Sequence, residues 1–330
     1  MLRFACLSLL LLLSACGQQT TIAKLSGVTM GTTWSVQIAD PAFEDSKRLE
    51  EKIKERLIVI NNEFSTYQSD STISLFNQHH STAPFKVSPE FFDVAQTAND
   101  ISKLTNGAFD PTLAPLIKLW GFGKDVRTDL PDEKSIATVK SLIGYQQLIL
   151  DPINQTLQKS YPELSIDYSA IAKGYAVDQI SNLLLQENLQ NHLVEIGGEL
   201  KANGNKPANK PWTIAIAKPV PGKPMAMQRL TLNNEGIATS GNYNNFFFRE
   251  GKRYSHTLDP NTARPVTHAL ASATVRHPST MIADALATAS MVMGTEKGIR
   301  FANEHELAMF MVNEEESTFK AYPSKKFSDE

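Results

Sequence analysis

Asp284 and Thr288 stand four residues apart in the run IADALATASMVMG, which is otherwise apolar. At helical spacing, a carboxylate and a hydroxyl four positions apart share one face. On an apolar helix their burial requires hydrogen bonds or a cation. Upstream, DYSAIAKG (Asp167 to Gly174) brings a further carboxylate and a lysine to the start of a second helical pattern. Taken together, these groups point towards a magnesium ion and a phosphorylated ligand, because magnesium prefers oxygen donors and phosphate needs countercharge. An ordinary N–H···O network in a core uses the same residue types, and the spacing leaves that reading open.

Other chemistries find less support. Gly197 and Gly198 could turn sharply and aim backbone N–H groups at phosphate, but two glycines are a weak signal. Neither a Walker sequence nor a Rossmann fingerprint follows the first strand pattern, and no H-E-x-x-H or cysteine cluster points to zinc. No serine or cysteine stands out as an activated nucleophile.

Several elements must position these groups. KLSGVTMGTTWSVQIAD predicts a strand with a bend near Gly31, and Leu49, Ile53, Leu57 and Ile60 give Phe43 to Ile60 a helical stripe. Ser88 and Pro89 form a cap and first helical residue for a helix that Gly107 stops. Further helices are predicted over Glu133 to Ile143, Ser169 to Leu185 and Met281 to Met293. Between the last two, HLVEIGG, WTIAIAK, QRLTLNN, GIATSG, NNFFFRE, YSHTLDP and LASATV are short β-type segments separated by Asn, Gly and Pro turns. A last strand is expected over Glu306 to Val312. This clustering predicts one α+β body with a mainly antiparallel sheet and packed helices.

The N-terminus reads as a secretory leader. Arg3 precedes an apolar stretch from Phe4 to Leu13, and LSAC ends at Cys16. That is too short and wrongly flanked for a spanning helix. Small residues before a cysteine resemble a bacterial lipobox, in which the cysteine becomes the first mature residue and carries lipid; the alternative is a plain signal peptide with an accidental cysteine. On this reading residues 1–15 are the signal, 16–24 a tether and 25–330 the catalytic body. Only Cys6 and Cys16 occur, so the mature chain could form no internal disulfide. A hydrophobic content of 42% fits a globular body, and a formal charge of −3 without a basic run argues against nucleic acid as a partner.

The segments MGTTW, FSTY, GAFDPT, DYSAIAKGYAVD, EIGGEL, SGNY, SHTLDP and ADALATA follow one another from Met30 to Ala289. In this order the set closely resembles the ApbE family, periplasmic FAD:protein FMN transferases with a T-fold-like body. The resemblance runs from about Lys24 to Val312. It implies magnesium-dependent transfer of FMN from FAD to a threonine hydroxyl of an acceptor protein, forming a phosphoester and releasing AMP. It also implies acceptors among the flavoprotein subunits of sodium-pumping NADH:quinone oxidoreductases or Rnf-type complexes. A body held at the periplasmic side of a bacterial inner membrane through lipidated Cys16 suits such acceptors.

By the same resemblance, Asp284, Thr288 and the carbonyl of Ala170 are expected to hold the magnesium ion. The family usually has glycine at position 170 and serine at position 287, where this chain has Ala170 and Ala287. Met30, Tyr67, Ala108, Phe109, Asp110, Asp167, Lys173 and the backbone near Leu258 are expected to contact FAD. Core packing is an alternative role for Tyr67 and Phe109, as solvent exposure or an ion pair with Asp167 is for Lys173. His256 can accept the acceptor's proton as a catalytic base, position the cofactor, or simply bond the neighbouring turn. Asp259 is another candidate polar participant, although an Asp-Pro pair equally suits a turn. Two other functions use the same residues: an FAD pyrophosphatase releasing FMN and AMP to water, and a flavin-binding lipoprotein without catalysis.

Overall fold

The computed structural model describes residues 22–329 apart from 41, 42, 44, 124–128, 223, 224, 244, 245, 250, 251 and 317. The signal segment, Cys16 and most of the expected tether lie outside the described residues. Strands β1 (Ala23–Thr29) and β2 (Thr32–Ile38) are joined by Met30 and Gly31, both at positive φ (49° and 71°). Two such residues make the tight reversal of a two-residue hairpin, so the expected bend is a complete turn. Helices α1 (Ser46–Phe64), α2 (Thr72–Gln78) and α3 (Pro89–Leu104) follow, with β3 (Phe85–Lys86) before the last. The Ser88 hydroxyl caps α3 by accepting from Phe91 N at 3.0 Å. Helices α4 (Ala114–Trp120) and α5 (Glu133–Lys140) lead to β4 (Leu148–Asp151) and β5 (Thr156–Lys159), which form a small sheet with β3.

The second half begins with α6 (Ser169–Gln186) and the hairpin of β6 (His192–Ile196) and β7 (Glu199–Asn203). A separate hairpin, β8 (Trp212–Ala217) with β9 (Ala226–Leu232), precedes β10 (Gly236–Gly241). The pairs β11 (Phe246–Arg249) with β12 (Lys252–Ser255), and β13 (Leu258–Asp259) with β14 (Arg264–Pro265), come next. The chain then runs through β15 (Leu270–His277), α7 (Thr280–Glu304), β16 (Ala308–Glu315), β17 (Thr318–Pro323) and α8 (Lys325–Asp329). Eight strands form one antiparallel sheet in the order β1-β2-β6-β7-β10-β15-β16-β17, so strand order follows chain order across the whole sheet.

Both faces of this sheet are covered, which explains why β6, β15 and β16 read as apolar runs without alternation. Val194, Ala238, Met309 and Met311 join the main core with α6 and α7. Their neighbours Leu193, Ile237, Phe310 and Val312 join a second cluster with Trp212, Ile216 and Leu232 of the β8–β9 hairpin. The sheet is therefore sandwiched between two helices and a hairpin. Helix α7 extends past the expected end at Met293: Gly294 breaks it (φ 74°, ψ 173°), yet helix resumes to Glu304.

His192 opens β6, fully buried, with Nδ1 at 2.8 Å from the Leu189 carbonyl and Nε2 at 2.8 Å from the Ser181 hydroxyl. Burial pushes its imidazole below the ordinary histidine range, against the pull of the Leu189 carbonyl. The unfolded chain therefore binds this proton at higher pH than the native one. Stability should fall as pH drops below about 6.5, by about 1.4 kcal/mol per pH unit from this residue until the native ring titrates. Urea unfolding between about pH 7 and pH 5 checks this, with His192→Asn expected to flatten the slope by that amount.

Candidate functional site

Helices α6 and α7 cross where α6 lacks a side chain. A Cβ on Gly174 would lie 2.4 Å from the Thr280 carbonyl oxygen and 2.8 Å from Asp284 Cβ. The bare backbone instead donates Gly174 N–H to Asp284 Oδ2 at 3.0 Å. The start of α7 is fixed by Asp178 of α6, whose carboxylate accepts from the Ser279 hydroxyl (2.8 Å), Thr280 N (3.0 Å), Met281 N (3.1 Å) and Lys201 Nζ (2.9 Å). An anion at a helix N-terminus satisfies orphan N–H groups and opposes the helix dipole. Asp178→Ala should therefore cost about 2–3 kcal/mol, measured by urea unfolding, because it also strands the Lys201 ammonium.

The crossing delivers Asp284 to a buried charge cluster. Lys173 Nζ lies 3.2 Å from Glu199 Oε1 and 3.7 Å from Asp284 Oδ2, with both carboxylates almost fully buried. Burial works against the Lys173 charge, but Asp284 and Glu199 outweigh it and raise its pKa above the ordinary lysine value. Burial likewise pushes the Glu199 carboxyl up, while Lys173 pulls it back. The ion pair expected as an alternative, Lys173 with Asp167, does not form; Asp167 Oδ1 instead accepts Ser169 N–H at 2.7 Å at the head of α6. Glu199 Oε2 is buried without a hydrogen-bond partner among the described residues. Such an orphan fits a ligand donor or hydrated cation. Thr288, one turn beyond Asp284, shares a 3.0 Å hydrogen bond with the Ser240 hydroxyl of β10.

These groups border a cavity of about 630 Å³. It opens where β7 and β10 part: their pairing covers only Gly236↔Lys201 and Ile237↔Leu200, while β10 runs on to Gly241. The β6–β7 turn, Gly197 and Gly198 at φ 62° and 105°, forms part of its rim. Ten of the expected residues line the cavity: Ala108, Phe109, Asp110, Asp167, Ala170, Lys173, His256, Leu258, Asp284 and Thr288. Met30 and Tyr67 are not brought to its lining. Met30 occupies the β1–β2 turn, packed in part against the main core, and Tyr67 is 70% exposed.

Several of the lining residues also shape the walls. Asp110 accepts from Thr112 N (2.8 Å), the Thr112 hydroxyl (2.6 Å) and Tyr145 N (3.0 Å), fixing the loop after α3. Burial raises its pKa, opposed by those bonds. His256 sits between β12 and β13 with its ring edge-on to Phe122 (centroids 6.4 Å apart, planes at 71°). Of its two readings Asp259 takes the turn role, accepting Asn261 N–H at 2.9 Å and the Thr262 hydroxyl at 3.1 Å. Ala170 lies in the first turn of α6 and is not among the residues at positive φ, so alanine meets no backbone strain where the family has glycine. Ala287 packs fully buried in the core.

Among the described residues, no three His, Cys, Asp or Glu side chains group as a metal-ligand set. Magnesium does not require one, since it keeps several waters and uses one or two carboxylates with substrate phosphates. The oxygen donors here, Asp284 and Thr288 with the α6 backbone, fit that ion. Both contacts described for Asp284 fall on Oδ2, so Oδ1 takes part in neither. The first turn of α6 and Lys173 likewise fit a diphosphate.

A family model described as the ApbE family matches residues 30–311. The chain is 40% identical to an FAD:protein FMN transferase of Vibrio cholerae, over 97% of this chain and 96% of that one. It is 38% identical to one of Haemophilus influenzae, over 96% and 93%. The structure is similar to the flavin transferase ApbE from Vibrio cholerae, with a TM-score of 0.86, 38% identity and coverage of 94% and 99%. It matches the apo flavinyl transferase ApbE of Pseudomonas stutzeri with a TM-score of 0.86, 36% identity and coverage of 94% and 96%.

Proposed function

The chain belongs to the ApbE family, and from that premise we propose that it moves FMN from FAD to a threonine hydroxyl of an acceptor protein. The enzyme class, FAD:protein FMN transferase, follows from the family. The observation that carries the finer reading is the Lys173–Asp284–Glu199 cluster beside Thr288 in one cavity. Asp284, Thr288 and the Ala170 carbonyl would hold magnesium, which when bound neutralises charge on the diphosphate and polarises the phosphoryl group.

The residues divide the remaining work. Lys173, kept charged by its two carboxylates, meets the diphosphate from just beyond the first turn of α6. Ala108, Phe109 and Leu258 give the flat flavin an apolar wall, and Asp167 offers an acceptor for its donors. The threonine Oγ attacks the phosphorus on the flavin side, and the bond from that phosphorus to the bridging oxygen breaks. AMP leaves with that oxygen. His256 sits on the cavity wall, where a ring nitrogen can take the threonine proton.

The location is part of the same reading. No helix among the described residues is long and apolar enough to cross a membrane. A lipid on Cys16 would hold the body at the periplasmic face of the inner membrane, within reach of flavoprotein subunits of sodium-pumping NADH:quinone oxidoreductases or Rnf-type complexes. The leader and lipobox-like sequence support this.

Incubation with FAD and magnesium, with and without a threonine-containing acceptor, tests the proposal. Covalent flavin on the acceptor together with AMP is the expected result, and threonine→valine in the acceptor should abolish it. AMP formed equally without acceptor would make the protein a pyrophosphatase. FAD bound and recovered intact would make it a carrier.

A further inference from the structure

One part of the cavity wall is unused by the donor site. The candidate FAD contacts on the cavity come from 108–110, from Asp167 and Lys173, and from Leu258. Another stretch of wall is β8, where Ile214, Ala215, Ile216 and Ala217 all border the cavity. Side chains along a strand alternate between faces, and here Ala215 and Ala217 are exposed while Ile216 is buried. Four successive residues can border one space when the strand presents its edge to it. Strand β8 pairs with β9 along one edge, and among the described residues no strand pairs with the other.

Free edges are normally guarded by charge, proline or bulges, because their unpaired N–H and C=O groups capture other strands. Lys210-Pro211 and Lys218-Pro219 flank β8, but TIAIA between them has neither charge nor proline. The one register shift falls at its end, between Ile216 and Ala217. Ala215 and Ala217 also leave room for another backbone to approach.

We propose that the β8 edge receives the threonine-bearing segment of the acceptor protein as an added strand. Main-chain hydrogen bonds would hold that segment extended, with its threonine directed to Lys173, Asp284 and Thr288. This mode tolerates varied sequence around the threonine, since the backbone supplies the affinity and neighbouring pockets the selectivity. The proposal rests on the transferase reading, which requires a polypeptide to enter the cavity.

Hydrogen exchange on the full chain with FAD and magnesium tests it, with a threonine→valine acceptor added so that the complex persists. Amides of 212–217 not already paired to β9 should exchange at least about tenfold more slowly with this acceptor, and be unchanged by FAD and magnesium alone. Unchanged exchange, under conditions where wild-type acceptor is flavinylated, would overturn the docking mode alone. Protection by FAD without acceptor would assign the edge to the donor, and concentration-dependent protection without acceptor would assign it to a second copy; either overturns the proposal. Failure of the wild-type acceptor to be flavinylated would remove the transferase reading first, and docking with it.

Discussion

Asp284→Asn is expected to slow FMN transfer by about 10²–10³-fold at ordinary magnesium concentration, or about 3–4 kcal/mol of barrier. The replacement keeps the shape of the side chain and an oxygen to accept Gly174 N–H, so the helix crossing should survive. What it removes is charge. On the proposed reading magnesium would lose its one ionic protein ligand, and Lys173 would keep only Glu199 as a partner. Raising magnesium should recover part of the rate, because the amide oxygen still coordinates weakly. Thr288→Ala should be milder, at about tenfold, since it would remove only a neutral candidate ligand, whose neighbour Ser240 remains. Covalent flavin on the acceptor, titrated against magnesium, reads both effects, with a thermal melt as the control for folding. A folded Asp284→Asn protein with wild-type rate and wild-type magnesium dependence would remove α7 from the mechanism.

Gly174→Ala should be nearly as damaging, through geometry. The added methyl would meet the backbone carbonyl of Thr280 at 2.4 Å, and a backbone atom has no flexible end to swing away. Helices α6 and α7 must separate or tilt. Overpacking of this kind costs about 3 kcal/mol. The Gly174 N–H to Asp284 bond lengthens at the same time, moving the carboxylate away from Lys173 and Thr288. Misplacement by about 1 Å suffices for a further 10²-fold loss of transfer. The expected result is a lower melting temperature together with a loss that extra magnesium does not rescue. That last feature separates it from Asp284→Asn, and rescue by magnesium would show that the crossing tolerates the methyl.

The sequence made some of this site visible and hid the rest for identifiable reasons. Asp284 and Thr288 were legible because one turn of one helix places them, so local periodicity was enough. Lys173 was legible as a cation carried on a helix beside the other candidate groups, but its partners were not. Glu199 and Asp284 lie 26 and 111 positions further along and meet it only through the sheet and the helix crossing. Gly174 stood in plain view within DYSAIAKG, yet its need for no side chain exists only once α7 lies against it. Helices α2 and α4, at seven residues each, are too short to display a periodic stripe. Gly294 did interrupt α7, but tertiary packing of Gly298 and Ala302 carried the helix on past it. The antiparallel sheet was legible from β-type segments and turns. Its register was not, because strands buried on both faces carry no alternation to set one.

Strand order that follows chain order has a consequence for how the protein comes into being. From β1 to β17, each strand of the large sheet adds beside one already made, and none must be inserted between two earlier partners. A chain emerging N-terminus first could assemble the sheet progressively, with the other hairpins and helices as excursions from it. Asp284 and Thr288 arrive only after β15, when most of the cavity wall is already present. A nascent chain halted before Thr280 would possess Lys173, Glu199 and the whole of β8, but not the carboxylate expected to ligate the metal. Catalytic competence is thus scheduled late in synthesis, after the scaffold that must confine the reaction.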